Sequence, residues 1–126
     1  MANTDYSVVV SETSKELTAK ERIQIKDTTD AIRLDNATKE NAVMIDVDFY
    51  AVLNIHNEKS DDKDYVTYVV VDKDGQRYTT GSPSFWSSFM NIYEEMEEET
   101  EPWSIKAYRM PSKNRAGKDF ITCSLI

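Results

Sequence analysis

The sequence is poor in the residues that build covalent or metal-held sites. A single cysteine, Cys123, excludes an internal disulfide and suits a reducing compartment. A single histidine, His56, cannot supply a multi-histidine metal site, and its place beside a polar run reads as surface. No apolar stretch approaches the ~20 residues that cross a bilayer. The opening MANTDYSVVVSETSKELTAK lacks the basic start and apolar run of a signal peptide, so a cytoplasmic protein is expected. Phosphate loops, dinucleotide fingerprints, nucleophile motifs, internal repeats and low-complexity linkers are missing as well. Asp46 and Asp48 share a strand face, as ion-binding carboxylates do, yet no third ligand accompanies them. The DKDG stretch lacks the later ligands of a calcium loop. The expectation is a protein without cofactor, metal or catalysis.

Positive charge is scarce too: Lys and Arg total 15 against 23 Asp and Glu, a net charge of -8. A domain basic throughout, the usual footprint of nucleic-acid binding, is thereby excluded. The shortage is uneven. Residues 102–126 hold Lys106, Arg109, Lys113, Arg115 and Lys118 against Asp119 alone, a local charge of +4, which leaves -12 on residues 1–101. Much of the negative charge lies in EEMEEETE (94–101) and NEKSDDKD (57–64). A local field of one sign matters more for docking than the total, although dispersed surface charge also serves solubility.

What is present is a globular core. With 126 residues, 40% of them hydrophobic and 10% aromatic, the chain suits one folded domain. AVMIDVDFYAVLNIH alternates, with Val43, Ile45, Val47, Phe49, Ala51, Leu53 and Ile55 on one face and Asp46, Asp48, Tyr50, Asn54 and His56 on the other. At about fifteen residues it exceeds usual strand lengths, and a bend or bulge is expected. YVTYVVV, the turn DKDG and QRYTT form a hairpin. Ser82 then caps a helix with Pro83 at its first position and an apolar stripe of Phe85, Phe89, Ile92 and Met96. WSIKAYRM, the loop PSKNRAGK and DFITCSLI complete a second hairpin, with Ile121, Cys123 and Leu125 toward the core. Before residue 42, SVVV reads as a short strand, SKELTAKERI as a helix capped by Ser14, and DTTDAIRLDNATKEN as a short helix or a loop.

Three strands, a helix and two strands is the element order of an OB-fold, a five-stranded Greek-key barrel whose long first strand can serve both sheets; an open meander with one helix has the same order. The expected fold is therefore mainly β with one principal helix. An OB-fold-like barrel would span 42–126, and residues 1–41 would form an extension packed on it.

Gly75, Tyr78, Ser82, Ser112, Lys113, Gly117 and Phe120 bring a family into view. Their spacing over residues 42–126 resembles phage single-stranded DNA-binding proteins, which coat strands displaced during phage genome replication. The resemblance implies binding of single-stranded DNA without sequence preference, with phage or host replication proteins as further partners. Cellular members of the class add an acidic tail that recruits partners; none follows residue 126, and recruitment of that kind is not expected.

Such binding needs cations that follow phosphates and flat side chains on which bases stack. Lys113, Arg115 and Lys118 cluster in the last loop around Gly117, with Lys106 and Arg109 on the strand before it. Alternation directs Tyr50, Tyr108 and Phe120 away from the core, and Tyr78 stands in the hairpin after the turn. Those nine residues form the expected nucleic-acid site. Trp86 and Trp103 are assigned to packing. A rival reading takes the carboxylates as the functional element: an acidic phage-encoded protein imitating DNA and blocking a host DNA-binding enzyme.

Overall fold

The computed structural model describes residues 6–59, 61, 63–112 and 117–126. In chain order the elements are β1 (Tyr6–Thr13), α1 (Ala19–Lys26), β2 (Ile32–Arg33), α2 (Leu34–Ala37), β3 (Val43–Asn57), β4 (Asp64–Asp72), β5 (Arg77–Thr80), α3 (Pro83–Met96), β6 (Ser104–Pro111) and β7 (Asp119–Leu125). The strands join in the order β2-β5-β4-β3-β6-β7, with β1 beside β3, and the sheet curls into an open half-barrel compatible with an OB-like fold. The expected run of three strands, helix and two strands is observed as β3, β4, β5, α3, β6 and β7.

The long β3 organises the molecule. Its first residues, Val43 to Asp46, pair with β6, and from Val47 to His56 it pairs with β4. The expected irregularity falls between these halves: the register to β4 slips between Val47 and Phe49, leaving Asp48 as the extra residue. Because side chains alternate with a period of two, one extra residue sends everything after it to the opposite face. Ile45, Val47 and Tyr50 therefore share one buried cluster, while Phe49, Ala51, Leu53 and Ile55 belong to another. The single apolar face expected from residue 43 to 55 is corrected to two half-faces. Downstream of the bulge, β3 and β4 are covered on both sides, with Val70 in the first cluster and Val69 and Val71 in the second.

Helix α3 closes the first cluster. Ser82 accepts a hydrogen bond from the Phe85 amide at 3.2 Å, and Pro83 begins the helix without needing a donor. Phe85 and Phe89 are fully buried, each contributing about 1.5–3 kcal/mol. Trp86 and Trp103 pack against the same cluster, as assigned. The helix also runs along β7: the Ser84 hydroxyl donates to the Ile121 carbonyl at 2.9 Å, and Ser88 bonds Thr122 at 2.8 Å. Strand β2 pairs in parallel with β5 through Ile32 and Arg33. With one rim strand paired to β2 and the other lined by a helix, β5 and β7 stay apart and the barrel remains open.

The first forty-one residues do more than pack on the barrel, since β1 and β2 are part of its sheet. Leu17 and Ile25 cover the second cluster, joined by Val8 and Val10. The helix expected from SKELTAKERI starts later: Thr18 is its cap, in a reciprocal box with Glu21, and the Ser14 hydroxyl instead accepts from the Tyr50 amide at 2.9 Å. The stretch left between helix and loop resolves into β2 and the single-turn α2.

Candidate nucleic-acid interface

Where β3, β6 and β7 run side by side, alternation divides their side chains cleanly. Ile45, Ile105, Ala107, Ile121 and Cys123 point into the first cluster. The intervening residues form the outer face: Met44 pairs with Lys106, Lys106 with Ser124, Tyr108 with Thr122, and Met110 with Phe120. Met44 is 56% exposed and Phe120 39%, and Lys106 and Met110 are exposed as well. Two rings, two thioethers and an ammonium group thus share one open, three-stranded surface.

The parts of this face are tied together. The Tyr108 hydroxyl bonds Ser124 at 2.7 Å across the ladder, which fixes the plane of its half-buried ring. The Lys106 ammonium stands 5.2 Å from that ring's centroid. A cation so placed is held by about 0.5–1 kcal/mol, little enough for a phosphate to draw it away and uncover the ring for a base. Beyond Met110 the chain enters the basic loop, whose base is closed by the Ser112 amide donating to the Lys118 carbonyl at 2.9 Å. Gly117, at φ +77, takes a backbone conformation that side chains disfavour. Lys118 is exposed and borders a shallow cavity of about 350 Å³ with Arg109, Met110 and Asp119.

Four of the nine expected residues, Lys106, Tyr108, Lys118 and Phe120, are brought together at this surface. Lys113 and Arg115 lie outside the described residues. Tyr50 is a correction. The bulge at Asp48 turns it inward, where it is only 6% exposed and meets Trp86, Phe89 and Tyr93 edge-on at centroid distances of 4.9 to 5.9 Å. Burial, and then the nearby Glu12 charge, push its phenol above the ordinary value. Tyr78 is likewise corrected: it is 8% exposed in the first cluster, with its hydroxyl 3.4 Å from the Asp72 carboxylate. Neither ring offers a face to a base.

Arg109 is present but engaged. Its guanidinium pairs with Asp119 at 2.8 Å, donates to the Thr38 hydroxyl at 3.2 Å and reaches the Asp35 carbonyl. It pins α2 to the base of the last hairpin, a structural post in place of the expected phosphate contact.

Met44, Met110 and the Ser124 hydroxyl that holds Tyr108 escaped the sequence reading. The methionines were legible in principle, since each falls out of phase with the buried residues of its strand. Among the described residues no cluster of three or more His, Cys, Asp or Glu could hold a metal ion. Cys123 faces the core, and burial pushes its thiol up to about 12, which leaves it protonated and unreactive. No described helix is long and apolar enough to cross a membrane. The fold and this surface define a β half-barrel with an open, partly aromatic sheet face beside a cationic loop. No family model, characterised protein or solved structure matches the chain.

Proposed function

We propose that the outer face of β3, β6 and β7 binds single-stranded DNA without sequence preference, with bases on Tyr108 and Phe120 and phosphates on Lys106 and the basic loop. One observation carries this reading: the ladder that sets Lys106, Tyr108, Met110 and Phe120 on one exposed face leads directly into the loop containing Lys118. Stacking is indifferent to base identity, and phosphate contacts are indifferent to sequence. Coating of displaced strands in phage replication is the role that suits such binding.

Anisotropy of a labelled oligothymidylate tests the reading through Phe120. Phe120→Ala should weaken binding by about 1–3 kcal/mol, and Phe120→Trp should retain it, because the flat face survives. Equal affinity in all three proteins would remove Phe120 from the site. A protein that ignores the oligonucleotide and captures a basic DNA-binding protein would instead support the phosphate imitator, whose carboxylates would be those exposed after α3, Glu97 to Glu99 and Glu101.

A further inference from the structure

The long edges of the sheet are treated unequally. Strand β7 lies beneath α3, and β2 offers only two residues, so neither presents a long free ladder. Strand β1 has eight residues, hydrogen-bonds β3 along one side, and has no strand on its other side among the described residues. Exposed edges are usually guarded by lysine, proline or a bulge. The sequence of β1, YSVVVSET, holds no lysine, arginine or proline and only one charged residue, Glu12, in a chain of net charge -8. Its bulge falls at Ser11, leaving Tyr6 to Val10 regular.

The middle of this strand reads the same in both directions: Ser7, Val8, Val9, Val10, Ser11. Antiparallel pairing of two such strands about Val9 sets Val9 opposite its own copy and Val8 opposite Val10, with Ser7 reaching the bulge at Ser11 of the other copy. The β-branched valines pack well across a ladder, and no like charges meet. Val9, at the centre, is 56% exposed, while Val8 and Val10 already lie on the second core cluster. We infer that β1 is the contact through which two copies of this chain join edge to edge, an isologous dimer with a continuous sheet across its two-fold axis. Strand β1 follows residues Ala51 to Asn57 of β3, whereas β6 follows Val43 to Asp46, so the dimer leaves the outer face of β6 and β7 open. Because both copies are acidic, salt should strengthen this association, the reverse of its effect on phosphate binding.

Sedimentation equilibrium of the full chain tests the inference. The wild type should move with concentration from one chain mass, 14.5 kDa, toward twice that value, and more readily at higher salt. Val9→Lys, an exposed change checked for native circular dichroism, should weaken the dimer by about tenfold or more, because two lysines would face each other at the axis. Val9→Glu should do the same, and mixing the two variants should restore association, since opposite charges would then meet. A wild type that stays at one chain mass at every concentration and salt would overturn the inference. So would a Val9→Lys protein that dimerises as the wild type does, or a mixture that stays apart.

Discussion

Deleting Asp48 should be tolerated far better than deleting a neighbour from the regular part of β3. The residue is exposed and its side chain belongs to neither core cluster, so Asp48→Ala should fall within about 0.5 kcal/mol of the wild type. Removing the residue removes the bulge and keeps both half-faces. Val47 and Phe49 become neighbours opposite Asp72 and Val71, and ordinary alternation leaves Val47 and Tyr50 on one face and Phe49, Leu53 and Ile55 on the other. Deleting Val52 has no such escape. Either the bulge stays and Leu53 and Ile55 turn toward α3, or the bulge straightens and Phe49 turns toward α3 with Tyr50 away from it. Leu53 and Ile55 are each 6% exposed or less, and full burial of such side chains contributes about 1.5–3 kcal/mol apiece. The loss, roughly 3–6 kcal/mol, is a large share of the ~5–15 kcal/mol that holds a typical domain together. Urea unfolding followed by tryptophan fluorescence would read the variants, since Trp86 and Trp103 lie on the first cluster. A Val52 deletion within about 1 kcal/mol of the Asp48 deletion would refute the two-faced reading of β3.

Three further outcomes follow from individual side chains. Arg109→Ala should cost about 1–3 kcal/mol in urea unfolding, because the buried Thr38 hydroxyl and the Asp119 carboxylate lose a charged partner; a change below about 0.5 kcal/mol would return Arg109 to the set of phosphate ligands. Hydrogen bonds to Asp64 and then Glu58, each at 2.7 Å, raise His56 above its ordinary 6.5. The stabilisation from its charged form is complete below that value and fades as pH rises through the higher folded value. The melting-temperature gap between wild type and His56→Gln should therefore be wider near about pH 6 than in alkaline buffer, and a gap that grows with pH would contradict the clamp. Cys123 should resist iodoacetamide in the folded protein and react once urea unfolds it, with native-state labelling at the unfolded rate as the contrary result.

How much could be read in advance depended on whether a residue's place is set locally. Ser82 and Pro83 announce a helix start by their own chemistry, and the 3.6-residue spacing of Phe85 and Phe89 announces which face is buried. Both the order of elements after residue 42 and the outward phase of Lys106, Tyr108 and Phe120 were legible for the same reason. Tyr50 was not. Its orientation depends on an extra residue in a ladder formed with β4, and alternation counted along one strand cannot reveal a slip in pairing with another. The role of Arg109 was hidden by distance, since its partners Asp35 and Thr38 lie some seventy residues earlier. Thr18 displaced Ser14 as the α1 cap because Glu21 completes a capping box only with Thr18.

The proposed single-strand site is tested most directly by its salt dependence. Affinity for a labelled oligothymidylate and for a duplex of the same length would be measured by anisotropy over a range of sodium chloride concentrations. With three to five phosphates held by Lys106 and the basic loop, log affinity for the single strand should fall against log salt with a slope of roughly -2 to -3.5. Duplex should bind more weakly at every salt concentration, because paired bases cannot reach Tyr108 and Phe120. Lys106→Ala should flatten the slope by about 0.7, and Tyr108→Ala should lower affinity with the slope nearly unchanged. A slope near zero, or tighter binding to duplex than to single strand, would contradict the assignment of this face.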